Sequence, residues 1–328
     1  MNLTRRRFAL AAATGLVGAH PFGSPAWAQG TYPSKPIRIL VPFPPGGSLD
    51  PVARLVGEKL TAAWGQQVIV ENRAGANGVI ATQAAAAAPA DGYTLLLTAS
   101  THVINPLLMK SLPFDTERDF APLVTAIKSE FLLVVHPSVP ANSLQEFITY
   151  AKGRPGAVNY GSAGIGNGNH IAAELFNQLA GTKLHHVPYK GGGPAMTDLV
   201  GGQLQAMFSV PSTAIPYVRA GRLKALAFTG TTAPRGLTGV PSFAQAGLPG
   251  YDLHSWQGFL VPAATPKAVV DKLVAELSRI VNDAEFHEKL SATGQEVWFN
   301  GPEAFAALMK ADSQKFAEII KSADIKLE

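Results

Sequence analysis

Ile37-Arg38-Ile39-Leu40-Val41 is a β-branched run, Pro42-Phe43-Pro44-Pro45-Gly46-Gly47-Ser48-Leu49 a Pro/Gly-rich connection, and Asp50-Pro51-Val52-Ala53-Arg54-Leu55-Val56 the start of a helical pattern. Val52, Leu55, Val56 and Leu60 recur at helical spacing, with Asp50 as the expected N-cap and Pro51 at the first helical position. A strand that enters a helix through such a loop is the βα unit of a parallel sheet. The unit recurs downstream: strand Val68 to Val70, an Ala-rich helix from about Gly78, a turn at Asp91-Gly92 and strand Tyr93 to Thr98 make one doubly wound lobe.

A second series follows an apolar strand near Phe131 to His136, with Ser143-Leu144-Gln145-Glu146 as a capping box. Val158 to Tyr160 feeds Gly161-Ser162-Ala163-Gly164-Ile165-Gly166-Asn167-Gly168-Asn169-His170, which opens a helix bearing Ile171, Leu175 and Leu179. Strand Leu184 to Tyr189, a short helix from Gly191-Gly192-Gly193-Pro194 to Gly201-Gly202, and strands Leu204 to Phe208 and Leu223 to Phe228 complete it. Ser255 to Pro262 reads as a strand crossing back, before helices that start at Thr265-Pro266 and Pro302. The expected fold class is therefore α/β: two doubly wound lobes around a central cleft, joined by two crossing strands. Residues 29–130 and 255–328 form the first lobe and residues 131–254 the second.

A chain of 328 residues with 47% apolar content exceeds one ordinary domain, which agrees with two lobes. Residues 1–28 read as an export signal: Arg5-Arg6-Arg7, an apolar run from Phe8 to Ala19, and Ala26-Trp27-Ala28 as the cleavage site. Thr4 to Leu10 is similar to a twin-arginine signal, with the general secretory route as the alternative. The three arginines carry three of the formal net charge of +4, so the mature chain would hold +1. Lys and Arg are otherwise scattered, which excludes the basic stripe of a nucleic-acid binder. With no cysteine, neither a disulfide framework nor a lipid-attached N-terminal Cys is available. The expectation is a soluble periplasmic monomer.

Ligands of open α/β sheets sit beyond the carboxyl ends of the strands, at helix N-termini. The Gly46-Gly47 loop and the Gly161 to Gly168 loop both occupy that position, one per expected lobe. Glycine lets several amides converge on one oxygen, so an anion is the natural guest, although either loop alone also reads as an ordinary tight turn. A helix terminus contributes about 0.3–1 kcal/mol, up to ~2 when partly buried, whereas micromolar binding needs about 8 kcal/mol. Charge-assisted hydrogen bonds of roughly 1.5–3 kcal/mol each must close that gap, which favours a clamp that excludes water.

His102 and His170 read either as donors to a ligand or as groups that cap a helix or support the ligand contacts. Tyr189 and Trp256 read as cleft lining or as core. The adjacent His185 and His186 face opposite sides of a strand, so no metal is expected there. No G-x-S-x-G, H-E-x-x-H or G-x-x-x-x-G-K-[ST] motif occurs, and Asn169 stands where a dinucleotide fingerprint needs glycine. Hence no catalytic residue, cofactor or metal is expected.

Tyr32-Pro33-Ser34-Lys35-Pro36-Ile37-Arg38, the Pro42 to Asp50 loop, Glu71 to Gly78, Asp91 to Leu95, Gly161 to Gly164 with His170, Pro188 to Gly192, Gly221 to Ala227, and Pro249-Gly250-Tyr251 with Trp256 span the chain. In these stretches the sequence resembles the Bug family, the extracytoplasmic substrate-binding components of tripartite tricarboxylate transporters. The resemblance implies a type II periplasmic-binding fold, a carboxylate held by backbone amides and waters, and delivery to an integral-membrane permease pair. It implies ligand contacts from Phe43, Gly46, Gly47 and Asp50 in the first lobe, from Ser162, Ala163, Gly164 and Gly166 in the second, and Ser100, Thr101 and His102 at the cleft border. Ser209 departs from the Asp common in the family at that position, which points away from a ligand with a distal ammonium group. A receptor of the same fold that signals to a sensor kinase, and an enzyme using the same cleft, are the competing readings.

Overall fold

The computed structural model describes residues 32–251 and 253–326, so the export segment expected over residues 1–28 lies outside the described residues. In chain order the elements are β1 (Ile37–Val41), α1 (Leu49–Trp64), β2 (Val68–Asn72), α2 (Val79–Ala86), β3 (Thr94–Ala99), α3 (Thr101–Leu108), β4 (Phe120–Glu130), β5 (Leu132–Val135), α4 (Leu144–Lys152), β6 (Asn159–Ser162) and α5 (Gly168–Ala180). They continue with β7 (His185–Pro188), α6 (Gly192–Val200), β8 (Ala206–Ser209), α7 (Pro211–Arg219), β9 (Lys224–Phe228), β10 (His254–Pro262), α8 (Lys267–Val281), α9 (Ala284–Ala292), β11 (Glu296–Asn300) and α10 (Pro302–Ser322).

Two sheets result, of order β11-β4-β10-β3-β1-β2 and β7-β6-β8-β5-β9. Each has a parallel core, β3-β1-β2 in one and β7-β6-β8 in the other, extended by antiparallel strands. The chain passes between the sheets twice. β4 hands over to β5 at Phe131, and the return runs from the end of β9 to β10. The two passages are tied together: Phe131 N–H donates to Thr229 Oγ1 and Thr229 N–H to the Phe131 carbonyl, both at 2.8 Å. Thr229 Oγ1 also donates to the buried Glu130 carboxylate at 2.7 Å, itself paired with Lys128. Pro33–Glu328 hold together as one compact unit.

β4 and β11 were not foreseen in the sequence. β4 carries Pro122, Lys128 and Glu130, which break the apolar signature, and its pairing with β10 joins residues far apart in the chain. α3 and α7 are equally cryptic, because β-branched residues open α3 and Pro106 and Pro216 lie inside the two helices. The start of α1 also differs: Ser48 is the N-cap, and Asp50, in the first turn, pairs with Arg54 instead. In α4 Ser143 caps as expected, but the Glu146 carboxylate accepts from Asn142 N–H rather than from the cap residue.

α10 closes the first sheet from below. Phe305 is fully buried and meets Trp256 edge to face at 5.0 Å, while Trp256 Nε1–H donates to Asp312. That packing depends on the missing side chain at Gly258, where an added Cβ would lie 2.4 Å from the Phe305 ring. Gly258→Ala should therefore cost about 1–3 kcal/mol through overpacking, read as a lowered urea midpoint; an unchanged midpoint would contradict this packing.

Candidate functional site

Five helices begin directly beyond the parallel strands: α1 after β1, α3 after β3, α5 after β6, α6 after β7 and α7 after β8. Their first residues meet around one cavity of about 80 Å³. Ser48 and Leu49 come from α1, Ser100 and Thr101 from α3, Asn167 to Asn169 from α5, Gly192 and Gly193 from α6, and Val210 and Thr213 from α7. Phe43, Gly47, Ala163, Met207 and Ser209 add loop and strand-end lining, and Phe131 and Ser255 come from the two passages between the sheets. Among the described residues, no Lys, Arg, His, Asp or Glu lines it. The chemistry offered is thus hydroxyls, amides and the positive ends of helix dipoles, a set suited to an anion.

The two glycine loops are braced from within. Asp50 is buried and bonded by Arg54 at 2.9 and 3.1 Å, and the Gly46 amide and Asn72 side chain also bond to it. Burial alone would raise its pKa, but those hydrogen bonds and the Arg54 charge outweigh burial and hold it below the ordinary carboxylate value. Asn72 further donates to the Phe43 carbonyl at 3.0 Å, fixing the ring that lines the cavity. In the second loop Gly164 N–H donates to Ser162 Oγ and Gly166 N–H to His170 Nδ1. Asn167 Oδ1 caps α5 through Asn169 N–H, and Asn169 Nδ2 donates to the Phe208 carbonyl, tying the helix start to the strand end at Ser209.

Of the residues singled out in the sequence, Phe43, Gly47, Ser100, Thr101, Ala163 and Ser209 line the cavity. Gly46, Asp50, Ser162, Gly164, Gly166 and His170 do not; their bonds shape the loops that do. His102 faces elsewhere. Its Nε2 meets the Thr116 carbonyl at 3.1 Å and its ring packs on Phe120, in an outer groove of about 580 Å³ between α3, the following loop and α10. That groove is larger, but its carboxylates Asp115 and Glu117 outnumber its one ammonium, Lys310, and only the first sheet's elements form it, so it suits an anion less well. Tyr189 donates to Asp198 at 2.6 Å, with its hydroxyl pushed up to about 12 by burial and that carboxylate, and Trp256 lies in the core. Asn167, Gly168, Asn169, Gly192, Gly193, Val210, Thr213 and Ser255 escaped sequence reasoning. Asn167 and the Gly192-Gly193 pair were marked by helix-start chemistry; Ser255 arrives from a distant strand and carried no local signal.

The loops of the two sheets also touch across the cavity. An added Cβ at Gly191 would lie 3.1 Å from Pro44 Cδ, and one at Gly166 only 2.3 Å from Leu108 Cδ1.

Residues 52–325 match the family model described as Tripartite tricarboxylate transporter family receptor. The chain is 33% identical to Protein BugT of Bordetella pertussis over the full length of both. It superposes on an R. palustris protein, Rpa4515, solved with adipate, at 31% identity and a TM-score of 0.87, covering 90% of this chain and 99% of that one. It likewise superposes on MatC of Rhodopseudomonas palustris with bound malate, at 29% identity and a TM-score of 0.83, covering 88% and 100%.

Two buried imidazoles, His102 and His170, and the half-buried His186 give the chain an acid limit. Burial is the leading cause at each, pushing His102 and His170 down to about 4 and His186 to about 3. The unfolded chain then binds these protons more readily, so stability from this source is full above about pH 6.5 and falls toward pH 3–4. Asp50 acts in the same direction at the lower end. Melting temperatures should fall by several degrees between roughly pH 7 and pH 4.5; a flat profile would contradict these assignments.

Proposed function

Because the chain belongs to the tripartite tricarboxylate transporter receptor family, we propose that it is a periplasmic receptor that closes two lobes on a small carboxylate. It then presents the closed form to a membrane permease pair. Residues 29–130 with 255–328 are one lobe and residues 131–254 the other, moving about the tied passages at Phe131 and Thr229. The chain travels as a monomer, exported through the Arg5–Arg7 signal by the twin-arginine route and cleaved after Ala28.

The observation that carries this reading is the cavity lined by five helix starts and no charged side chain. A carboxylate there gains amides, hydroxyls and dipoles with no cation to desolvate. The adipate and malate of the two neighbouring structures belong to that chemical class. An ammonium group finds no counter-charge in the lining, and Ser209 supplies only a hydroxyl. The volume suits a short-chain acid with few waters, since each water-sized position takes roughly 10–15 Å³.

A thermal-shift series of organic acids tests it. Adipate or malate should raise the melting temperature by several degrees, as saturation at 100 times Kd adds about 2.7 kcal/mol. Their α-amino analogues should give little or no shift; preference for the amino forms, or no response to any carboxylate, would overturn the reading.

Closure has its own test. Gly166 sits at φ +73°, and a methyl there would press on Leu108 from the other side of the cleft. Gly166→Ala should weaken adipate binding about tenfold, near 1.4 kcal/mol, and Leu108→Ala should restore part of it. Equal affinity in all forms would show that these loops do not meet when the ligand is held.

A further inference from the structure

Three rings with nearly parallel planes sit under the 162–168 loop, and none lines the cavity: His170 on α5, His186 on β7 and Tyr160 on β6. The two imidazoles are 4.0 Å apart with planes within 12°, and His186 lies 4.9 Å from Tyr160. Gly166 N–H donates to His170 Nδ1 at 3.0 Å. That nitrogen must carry a lone pair, so His170 is neutral with its proton on Nε2. His186 Nε2 lies 2.6 Å from Ser162 Oγ, whose hydroxyl donates to the Gly164 carbonyl while its oxygen accepts Gly164 N–H. His186 therefore serves as the donor in that pair.

These bonds take up the amides of Gly164 and Gly166, both at positive φ, and turn them into the loop. Ala163 and Asn167, their neighbours, and Gly168 beyond them line the cavity. We propose that His170 is a positioning residue for ligand capture: its neutral Nδ1 holds the Gly166 amide and with it the cavity-facing backbone, so a carboxylate is captured only while this imidazole is uncharged. A proton on Nδ1 would set N–H against N–H and release the loop.

The surroundings do not help His170 to ionise. His186 faces it from β7, with the exposed His185 on the strand's other side, Tyr160 faces it from β6, with Tyr251 beyond, and Glu174 lies one turn along α5. Glu174 is already engaged by Tyr160 Oη at 2.5 Å and by Asn177. Burial holds His170 down near 4; at His186 burial leads, with His170 and His185 adding to it, for a value near 3.

The inference rests on the carboxylate-receptor reading for its affinity arm only, because the amide arm needs no ligand. His170→Asn keeps an acceptor near the Nδ1 position but cannot titrate; His170→Phe keeps a flat ring against His186 but no acceptor. In ¹⁵N-labelled wild type without ligand, the Gly166 amide resonance should move through a transition near pH 4, and His170→Asn should abolish it. In adipate titrations at pH 7, His170→Phe should lose about tenfold or more, as for one orphaned buried amide, while His170→Asn stays within about threefold. Wild-type affinity should also fall more steeply between pH 6 and pH 4 than that of His170→Asn, whose remaining fall is the protonation of adipate itself. A Gly166 transition that persists in His170→Asn, or equal losses in the two variants, would overturn the proposal. If His170→Phe does not fold, the difference between the wild-type and His170→Asn profiles decides, together with the ligand-free Gly166 resonance. If adipate binds no form at any pH, the receptor reading fails for this acid and the Gly166 resonance alone decides.

Discussion

Removing a negative charge from water without offering it a cation is the constraint on which this architecture rests. A buried carboxylate without partners is costly, and the cavity contains no ionised side chain to offset it. Partial charges must then be gathered from many directions. Five βα units do so, because every parallel strand of both sheets that ends at the cavity delivers a helix start there. One terminus is a minor effect; five together contribute about 1.5–5 kcal/mol, and charge-assisted hydrogen bonds must add the rest. Backbone donors recognise a carboxylate without reading the remainder of the molecule, which fits two structural neighbours solved with acids as different as adipate and malate.

The same constraint explains the loops. Amides aimed at an anion must hold their direction when no anion is present, so each loop carries an internal brace. Asp50, Arg54 and Asn72 hold the first, and Ser162, His170 and His186 the second. Glycine is needed at Gly46, Gly164 and Gly166 because these positions take positive φ, and their amides bond within the loops. Across the cleft, Gly166 and Gly191 allow contact with Leu108 and Pro44 that a side chain would obstruct. Where the chain changes sheet, the bonds among Glu130, Phe131 and Thr229 keep the two passages together.

Much of this was legible because βα units announce themselves locally. The β-branched run at Ile37–Val41, the Gly/Pro loop after it and the helical spacing of Val52, Leu55 and Val56 lie within one stretch, and the α/β class and both glycine loops follow from such stretches. β4, β11 and the place of Ser255 at the cavity were not legible, since they are defined by pairing between distant residues, although the strand that carries Ser255 was. The side-chain direction of His102 was beyond reach for a similar reason: it follows Ser100 and Thr101 in sequence, but the turn of α3 carries it to the outer groove. Gly46, Gly164 and Gly166, read as possible ligand contacts, bend their loops at positive φ and stand back from the cavity lining, whereas Gly47 lines it.

A crystal structure of the chain with adipate would examine the central claim most directly. The account predicts a carboxylate within about 2.7–3.2 Å of amides or hydroxyls at the starts of α1 and α5, with Ser209 nearby and no Lys or Arg nitrogen in contact. Adipate seated in the outer groove beside His102, or neutralised by a lysine or arginine, would contradict it.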